Sequence, residues 1–469
     1  MNRVVSLAST PTNAEAVLAA FELIAPPTWD LSFLDPSLDP RHDPSDTGTA
    51  ADPQGLSEHL RSFELTWVLR DGAKPAAGSF EAIEYWHTER PGATFLYGDS
   101  MSPAGITVNR PRYETYSFLS LSPTLGGFVV SGTDDIPRGI DSDSPLSWVE
   151  MVTMLAHGRT VEHIPVVLEE LTDGVTSETV AQQARTPDGV RLEWTEFSPL
   201  PIPTADVGEA SVSIVIPTIG ATFDIDGVPI VAVARCIESL QRFDSRLLTE
   251  IILVCGEAMD KDILDSLCAM DSRVTPVHVD GTFNFSYSCN TGALGASGTH
   301  ILFLNDDVEV RGAGWLEILL GIAHLPGVGA VGAGLVFPGE AIQHAGISIN
   351  PETSEPFHVY YGAPVEDAVD PIITGTIHTL AVTGACLLVG AADVRLVGGF
   401  ALGLPRNYND VDFCLKLWLK GKKTLCCNQL SFIHRESTSR EPSIEDFERD
   451  WMRTWEPVAR HDPLPYAWS

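Results

Sequence analysis

From Ser211 onward the chain alternates short β-branched runs with helical stretches, and few folds accept that rhythm. Residues 211–216 form an apolar run closed by Pro217-Thr218, and a helical pattern follows over 231–243. Strand-like runs recur at 250–254, 274–279 and 301–304, with helical patterns at 260–271, 286–296 and 314–325 between and after them. Apolar runs without polar alternation are strands covered on both faces. Strands of that kind, separated by helices, build a parallel sheet with crossover helices on its two sides. The expected class is α/β, a Rossmann-like, mostly parallel sheet flanked by helices. Further runs at 327–336 and 381–389, a helix at 410–420 and a strand near 423–433 continue the pattern. Residues 445–455 are amphipathic and aromatic, and are expected to pack back on the body as a helical cap.

At 469 residues the chain exceeds one ordinary core, so two or three domains are expected. Residues 26–57 are rich in Pro, Asp and Ser and read as loops. Pro at every second position in Phe197-Ser-Pro-Leu-Pro-Ile-Pro-Thr204 suits an extended linker. The expected division is 1–205, a smaller α/β accessory region; 206–440, the main α/β domain; and 441–469, the cap.

Lys and Arg total 29 against 63 Asp and Glu, a formal charge of −34. Such a charge repels nucleic acid, which is not an expected partner, and argues against unaided docking on anionic membrane. An anionic ligand needs a local cation or a helix N-terminus. The eight cysteines form no CxxC pair and most sit among apolar residues, as in Gly384-Ala385-Cys386-Leu387-Leu388. They read as buried free thiols in a reducing compartment. The start lacks a signal-peptide core, and no apolar stretch is long enough for a transmembrane segment. The expected location is cytoplasmic, or peripheral at the inner face of the membrane.

The candidate for chemistry is Asn305-Asp306-Asp307, directly after Ile301-Leu302-Phe303-Leu304. Adjacent carboxylates at a strand end resist burial unless something neutralises them, and a hard divalent cation is the usual answer. In open α/β sheets, ligands collect outside the carboxyl ends of the strands.

Seven segments in order resemble a family 2 glycosyltransferase with the GT-A fold, over residues 211–440. They are Val212-Ser-Ile-Val-Ile-Pro-Thr218; Phe283-Asn284-Phe285-Ser286 with Asn290-Thr-Gly292; Phe303-Leu-Asn-Asp-Asp-Val-Glu309; Val382-Thr-Gly-Ala-Cys-Leu387; Val397-Gly-Gly-Phe400; Asn409-Asp-Val-Asp-Phe-Cys-Leu415; and His434-Arg-Glu-Ser-Thr-Ser-Arg440. The last two are similar to the rhamnosyltransferase-like branch. More faintly, Ala93-Thr-Phe-Leu-Tyr-Gly-Asp99, Leu125-Gly-Gly-Phe-Val-Val130 and Trp148 to Pro165 resemble a degenerate copy of the same fold. For that copy a structural or oligomerising role is expected, with Asp99 a vestige or surface turn.

The resemblance implies an enzyme that moves a sugar, with inversion, from a nucleotide diphosphate donor to a hydroxyl of a glycan or lipid-linked acceptor in cell-surface polysaccharide synthesis. It implies Mg²⁺ or Mn²⁺ as cofactor, with Asp307 and His434 as ligands and Asp410 as general base. Donor-binding residues would be Pro217, Thr218, Glu257, Asn284, Asn290, Asn305, Asp306 and Arg440. Gly384, Ala385 and Asn409 would line the acceptor and sugar pocket. The chain departs from the family in two places: Asn305 replaces the first acid of the usual Asp-x-Asp pattern, and Cys255 stands where a nucleotide-reading Asp is usual. Glu257 or Asp260 is then the candidate to reach the base. The alternatives are a sugar-nucleotide-binding protein with little turnover and, against the lack of a Gly-rich, Lys-bearing loop, a nucleotidyltransferase.

Overall fold

The computed structural model describes residues 2–6, 11–33, 56–102, 107–108, 114–121, 125–132, 148–171, 183–186, 190–195, 198–225, 227–350, 353, 355–365, 371–435, 446–455, 457 and 462–464. The chain divides into two compact units, Met1–Trp194 and Thr195–Ser469. The boundary falls before the proline segment because Ser198–Thr204 is a strand rather than a free linker. Its residues 200–204 are buried. Gln429 Nε2 donates to Pro201 O at 3.2 Å, and Ala205 N donates to Gly321 O at 2.9 Å. Prolines two apart put every missing N–H on one edge, so the other edge can still form a ladder.

Unit 2 is built from β1 (Val212–Thr218), the hairpin β2 (Thr222–Ile225) and β3 (Val228–Val231), α1 (Ala232–Arg242), β4 (Leu248–Cys255), α2 (Lys261–Met270), β5 (Val274–His278), α3 (Phe285–Gly295) and β6 (His300–Leu304). There follow β7 (Val308–Glu309), α4 (Trp315–Ala323), β8 (Val328–Val336), β9 (Ile342–His344), β10 (Cys386–Gly390), α5 (Ala391–Val397), α6 (Asn409–Trp418), β11 (Lys423–His434) and α7 (Asp446–Arg453). The main sheet has the order β5-β4-β1-β6-β10-β8-β11-β7. Its first four strands are parallel. β10 runs against both neighbours, β8 and β11 are parallel, and β7 is antiparallel to β11. The α/β class holds: the sheet is wholly parallel in its first half and mixed in its second. β10 returns from the long 337–385 excursion, not from a crossover helix, and is free to run the other way.

Packing under the first half explains the small residues of α3. A Cβ on Gly292 would meet Val215 Cγ1 at 2.3 Å and Val254 Cγ2 at 3.0 Å, so the helix lies directly on β1 and β4. Phe303, Phe400 and Phe413 form a ring cluster behind β6, with centroids 4.9 Å apart for the first pair and 4.7 Å for the second. The C-terminal helix packs on α6: Trp451 Nε1 donates to Asp412 Oδ1 at 2.9 Å, and Asn407 Nδ2 to Glu448 Oε2 at 2.8 Å. Among the described residues, no helix is long and apolar enough to cross a membrane.

Unit 1 is α/β as well. Its strands run Trp29–Phe33, Asn2–Ser6, Leu65–Leu69, Gly127–Ser131, Phe95–Met101, Val161–Leu171 and Ala73–Pro75 in spatial order. The successive pairings are parallel, parallel, antiparallel, antiparallel, parallel and antiparallel. From β4 onward, the sheet of unit 2 reads β4-β1-β6-β10-β8-β11-β7 with the same six senses and the same chain order. Unit 1 therefore repeats this topology. Ala73–Pro75 corresponds to β7, so Arg70-Asp71-Gly72 occupies the place of Asn305-Asp306-Asp307. Leu171 opposes Ala73 as His434 opposes Val308.

Two expectations for unit 1 change. Asp99 is neither a surface turn nor the counterpart of the acidic triplet: it lies within Phe95–Met101, buried, with Oδ1 2.9 Å from His163 Nε2. Within 26–57, expected as loop, Trp29–Phe33 is a strand whose alternate residues Trp29, Leu31 and Phe33 are buried. Residues 34–55 lie outside the described residues.

Candidate functional site

The acidic triplet forms the turn between β6 and β7, at the carboxyl end of the parallel half of the sheet. Backbone bonds fix it on both sides. Asn305 N donates to Ala385 O at 3.0 Å, and Arg435 N donates to Asp307 O at 3.2 Å. The pairing of Val308 with His434 carries β11 to the same spot.

Asp307 and His434 come together there, only 6% and 8% exposed. Asp307 Oδ1 lies 3.0 Å from His434 Nε2. On the far side of the imidazole, Nδ1 is 2.6 Å from Gln343 Oε1, a carbonyl oxygen that accepts the Nδ1–H. Asn305 Nδ2 lies 3.2 Å from Nε2. With Nδ1 turned to Gln343, Nε2 faces both the Asp307 carboxylate and the Asn305 amide. Asp306 turns the other way and accepts from Thr218 Oγ1 at 2.6 Å, which joins the ends of β6 and β1. Burial, and then the charges of Asp306, Asp307 and Glu309, push the thiol of Cys236 beneath the turn well up.

Asp410 sits in the first turn of α6. Its Oδ2 accepts from Gly384 N at 2.9 Å, and its Oδ1 from Val411 N at 2.8 Å. The preceding residue but one, Tyr408, has φ 58°, a left-handed conformation that a bulky side chain rarely adopts. The loop 383–385 thus holds the acidic turn through Ala385 O and Asp410 through Gly384 N. A Cβ on Gly384 would press on Phe285 at 3.2 Å and lie 3.6 Å from Asp410 Cβ, so packing alone accounts for this glycine. On its other side, Thr383 N donates to His344 Nε2 at 3.4 Å, and His344 Nδ1 lies 3.0 Å from His358 Nδ1. Burial, with the nearby His358 and His434, holds His344 well below the usual histidine range.

The remaining sequence candidates separate. Pro217 and Thr218 end β1 beside the turn, and Ala385 is buried in the connecting loop. Asn409 is buried, with Nδ2 3.4 Å from Leu404 O. Asn290 is committed to structure: its Nδ2 donates to Phe400 O and its Oδ1 accepts from Phe400 N. Asn284 caps α3 and donates to Leu402 O. Both amides hold the 400–404 segment, a position a donor-pocket reading does not need. Asp260 caps α2 through Asp262 N and Ile263 N, while exposed Glu257 accepts from Gly281 N at 3.0 Å. Cys255 is buried and its thiol is pushed up to about 11, so it supplies no negative charge. Asp412 is structural, bound by Lys416 at 2.9 Å and by Trp451. Arg440 lies outside the described residues.

Sequence reasoning missed Gln343, Glu309 and Phe223. Glu309, two residues past Asp307, could have been found by its spacing on β7. Gln343 and Phe223 sit in segments with no local signal, an excursion and an insertion. Among the described residues no group of three or more His, Cys, Asp or Glu gathers around one point.

Residues 213–379 match the family described as Glycosyl transferase family 2. The chain is 36% identical over 177 residues to the O-antigen biosynthesis protein RfbC of Myxococcus xanthus, covering 36% of this chain and 14% of that protein. It is 32% identical over 203 residues to the uncharacterized protein y4gI of Sinorhizobium fredii (strain NBRC 101917 / NGR234), covering 41% of this chain and 22% of that one. The chain therefore matches less than a quarter of the length of either relative. Similar solved structures include GalNAc-T7 with UDP, GalNAc and Mn²⁺, at 15% identity and TM-score 0.43, covering 54% of this chain and 50% of that one. Another is the mannosyltransferase PcManGT of Pyrobaculum calidifontis with GDP-Man and Mn²⁺, at 13% identity and TM-score 0.34, covering 54% and 64%.

Proposed function

We propose, from the premise that residues 213–379 are a family 2 glycosyltransferase domain, that unit 2 transfers a sugar from a nucleotide diphosphate donor to a hydroxyl group, with inversion. The observation that carries this reading is the Asp307–His434 pair, one loop away from Asp410.

The pair fits a divalent ion. A separation of 3.0 Å between a carboxylate oxygen and an imidazole nitrogen is about that of two neighbouring ligands on an octahedral ion with bonds of ~2.1 Å. Two protein ligands are few, which suits Mg²⁺ or Mn²⁺ completed by phosphate oxygens and water. Bound there, the ion would neutralise charge on the departing diphosphate. Gln343 holds His434 with Nε2 toward Asp307, where the two would hold the ion, and Thr218 holds Asp306 toward the end of β1. Asp410 takes the proton of the acceptor hydroxyl as the oxygen attacks the anomeric carbon. The bond from that carbon to the diphosphate oxygen then breaks, and its electron pair leaves with the nucleotide. Gly384 N fixes the carboxylate for this step. The name of the Myxococcus relative suggests an acceptor in surface polysaccharide synthesis.

A screen of nucleotide diphosphate sugars with Mn²⁺ or Mg²⁺, following nucleotide release, tests the reading. Wild type should consume at least one donor, and Asp410→Asn should lower the transfer rate by about 10²–10⁴-fold with donor affinity retained. Absence of any donor binding or turnover overturns the enzyme reading. Wild-type transfer by Asp410→Asn overturns the base assignment.

A further inference from the structure

We propose that Arg435, held by Glu309 and by Phe223 of the β2–β3 hairpin, is a donor-binding residue that grips the diphosphate. The proposal rests on the reading of the site as one for a nucleotide diphosphate sugar, and it adds to that reading a cation and the device that aims it.

Arg435 follows His434 directly, and its backbone N is bonded to Asp307 O at 3.2 Å, so it starts from the acidic turn itself. Its side chain is 20% exposed, neither free in solvent nor sealed in the core. Nε donates to Glu309 Oε1 at 2.7 Å. The guanidinium carbon lies 4.8 Å from the centre of the Phe223 ring. One edge and one face of the planar group are thereby engaged. Among the described residues, Nη1 and Nη2 have no hydrogen-bond partner.

Among the described residues, Arg235 on α1 also reaches Glu309, and it is occupied. Its Nη2 binds Glu309 Oε2 at 3.1 Å and its Nη1 binds Glu238 at 3.0 Å. Glu309 therefore carries one arginine on each oxygen, and of these two Arg435 is the one that presents a fork. A guanidinium whose rotamers are already fixed loses little entropy on binding, and its paired N–H groups match two phosphate oxygens. The chain carries −34 formal charges and places Asp306 and Asp307 at this very turn, so a diphosphate needs such a cation here.

Phe223 gives the hairpin a purpose. β2–β3 leaves directly from Thr218, whose hydroxyl holds Asp306. The hairpin thus begins at the end of β1, where a nucleotide would lie, and reaches across to Arg435. Glu309 and Phe223 are positioning residues.

Calorimetric titration with UDP, GDP and dTDP, and with the corresponding nucleosides, in EDTA and again with Mn²⁺, tests this. Arg435→Gln should weaken diphosphate binding by about 10–100-fold, the worth of charge-assisted hydrogen bonds. Nucleoside binding should be unchanged. Arg435→Lys should recover part of the loss, and Phe223→Ala should weaken diphosphates severalfold while leaving nucleosides alone. Wild-type diphosphate affinity in a folded Arg435→Gln protein overturns the proposal, and so does an equal loss for diphosphates and nucleosides. If wild type itself binds none of the three diphosphates, the donor-site reading falls and this proposal with it. Should Arg435→Gln not fold, the Arg435→Lys and Phe223→Ala pair decides by the same comparison.

Discussion

At the scale of single residues, His434 shows how a neighbour decides what an imidazole can do. Gln343 Oε1 takes the Nδ1–H, and this leaves Nε2 to face Asp307. Replacing Gln343 with methionine keeps the volume and removes the acceptor. Ring orientation and tautomer are then free, and loss of such a supporting bond typically costs a metal site 10–100-fold in affinity. Gln343→Met should therefore weaken Mn²⁺ binding by about that factor, measured by calorimetry, with the unfolding midpoint nearly unchanged. Unchanged Mn²⁺ affinity would mean that His434 is not a ligand or that its orientation comes from elsewhere. This contact was not legible beforehand. Asp307 stood out because its triplet ends an apolar run, and Asp410 and His434 because their motifs resemble those of a known family. Gln343 lies in an excursion whose fold depends on pairing with β8, and no local pattern announces it. Asn290 is a different case. Its place in a motif suggested a ligand contact, but its amide is spent on the Phe400 backbone.

At the scale of elements, α3 and its close seat on β1 and β4 set the floor under the site. Gly292→Ala puts two effects in opposition. Alanine is better than glycine in a helix by about 1 kcal/mol. Against that, its Cβ would lie 2.3 Å from Val215 Cγ1 and 3.0 Å from Val254 Cγ2. Both neighbours are β-branched and lie in central strands, so they cannot swing aside. Overpacking of that kind costs about 1–3 kcal/mol, and the steric term should win. A urea unfolding curve should show a lower midpoint for Gly292→Ala; an equal or higher one would show that the helix shifts freely. The parallel half of the sheet was readable because β1, β4 and β6 are mostly buried apolar runs and helical patterns separate the strands. The mixed half was not, because the directions of β10 and β7 come from partners far along the chain. The proline segment misled for a related reason. Its spacing forbids a two-sided central strand but permits an edge strand, and only the packing of Pro201 and Ala205 shows which outcome applies.

At the scale of the whole molecule, the repeated topology asks how many sites one chain carries. Each unit has the same seven-strand order and sense, so each has a turn where the metal-type donors sit in unit 2. In unit 1 that turn is Arg70-Asp71-Gly72, and the residue facing the following strand is Leu171. Glycine and leucine offer no donor atom from their side chains, and Arg70, buried in place of Asn305, adds a positive charge that disfavours a cation. Asp71 alone is a weak ligand set for a divalent ion. One Mn²⁺ per chain is therefore the expected stoichiometry. With −34 formal charges, diffuse binding to surface carboxylates will add a background, but it is screened at ionic strength of about 0.15 M, where the Debye length is ~8 Å. Under those conditions a titration of the full chain should saturate at one ion, and Asp307→Asn should remove that site. Two sites of similar affinity would restore a metal role to unit 1. A single site that survives Asp307→Asn would move the metal away from the acidic turn altogether. Fold and site chemistry thus part company within one chain: the strand order is kept twice, and the Asp307–His434 pair is kept once.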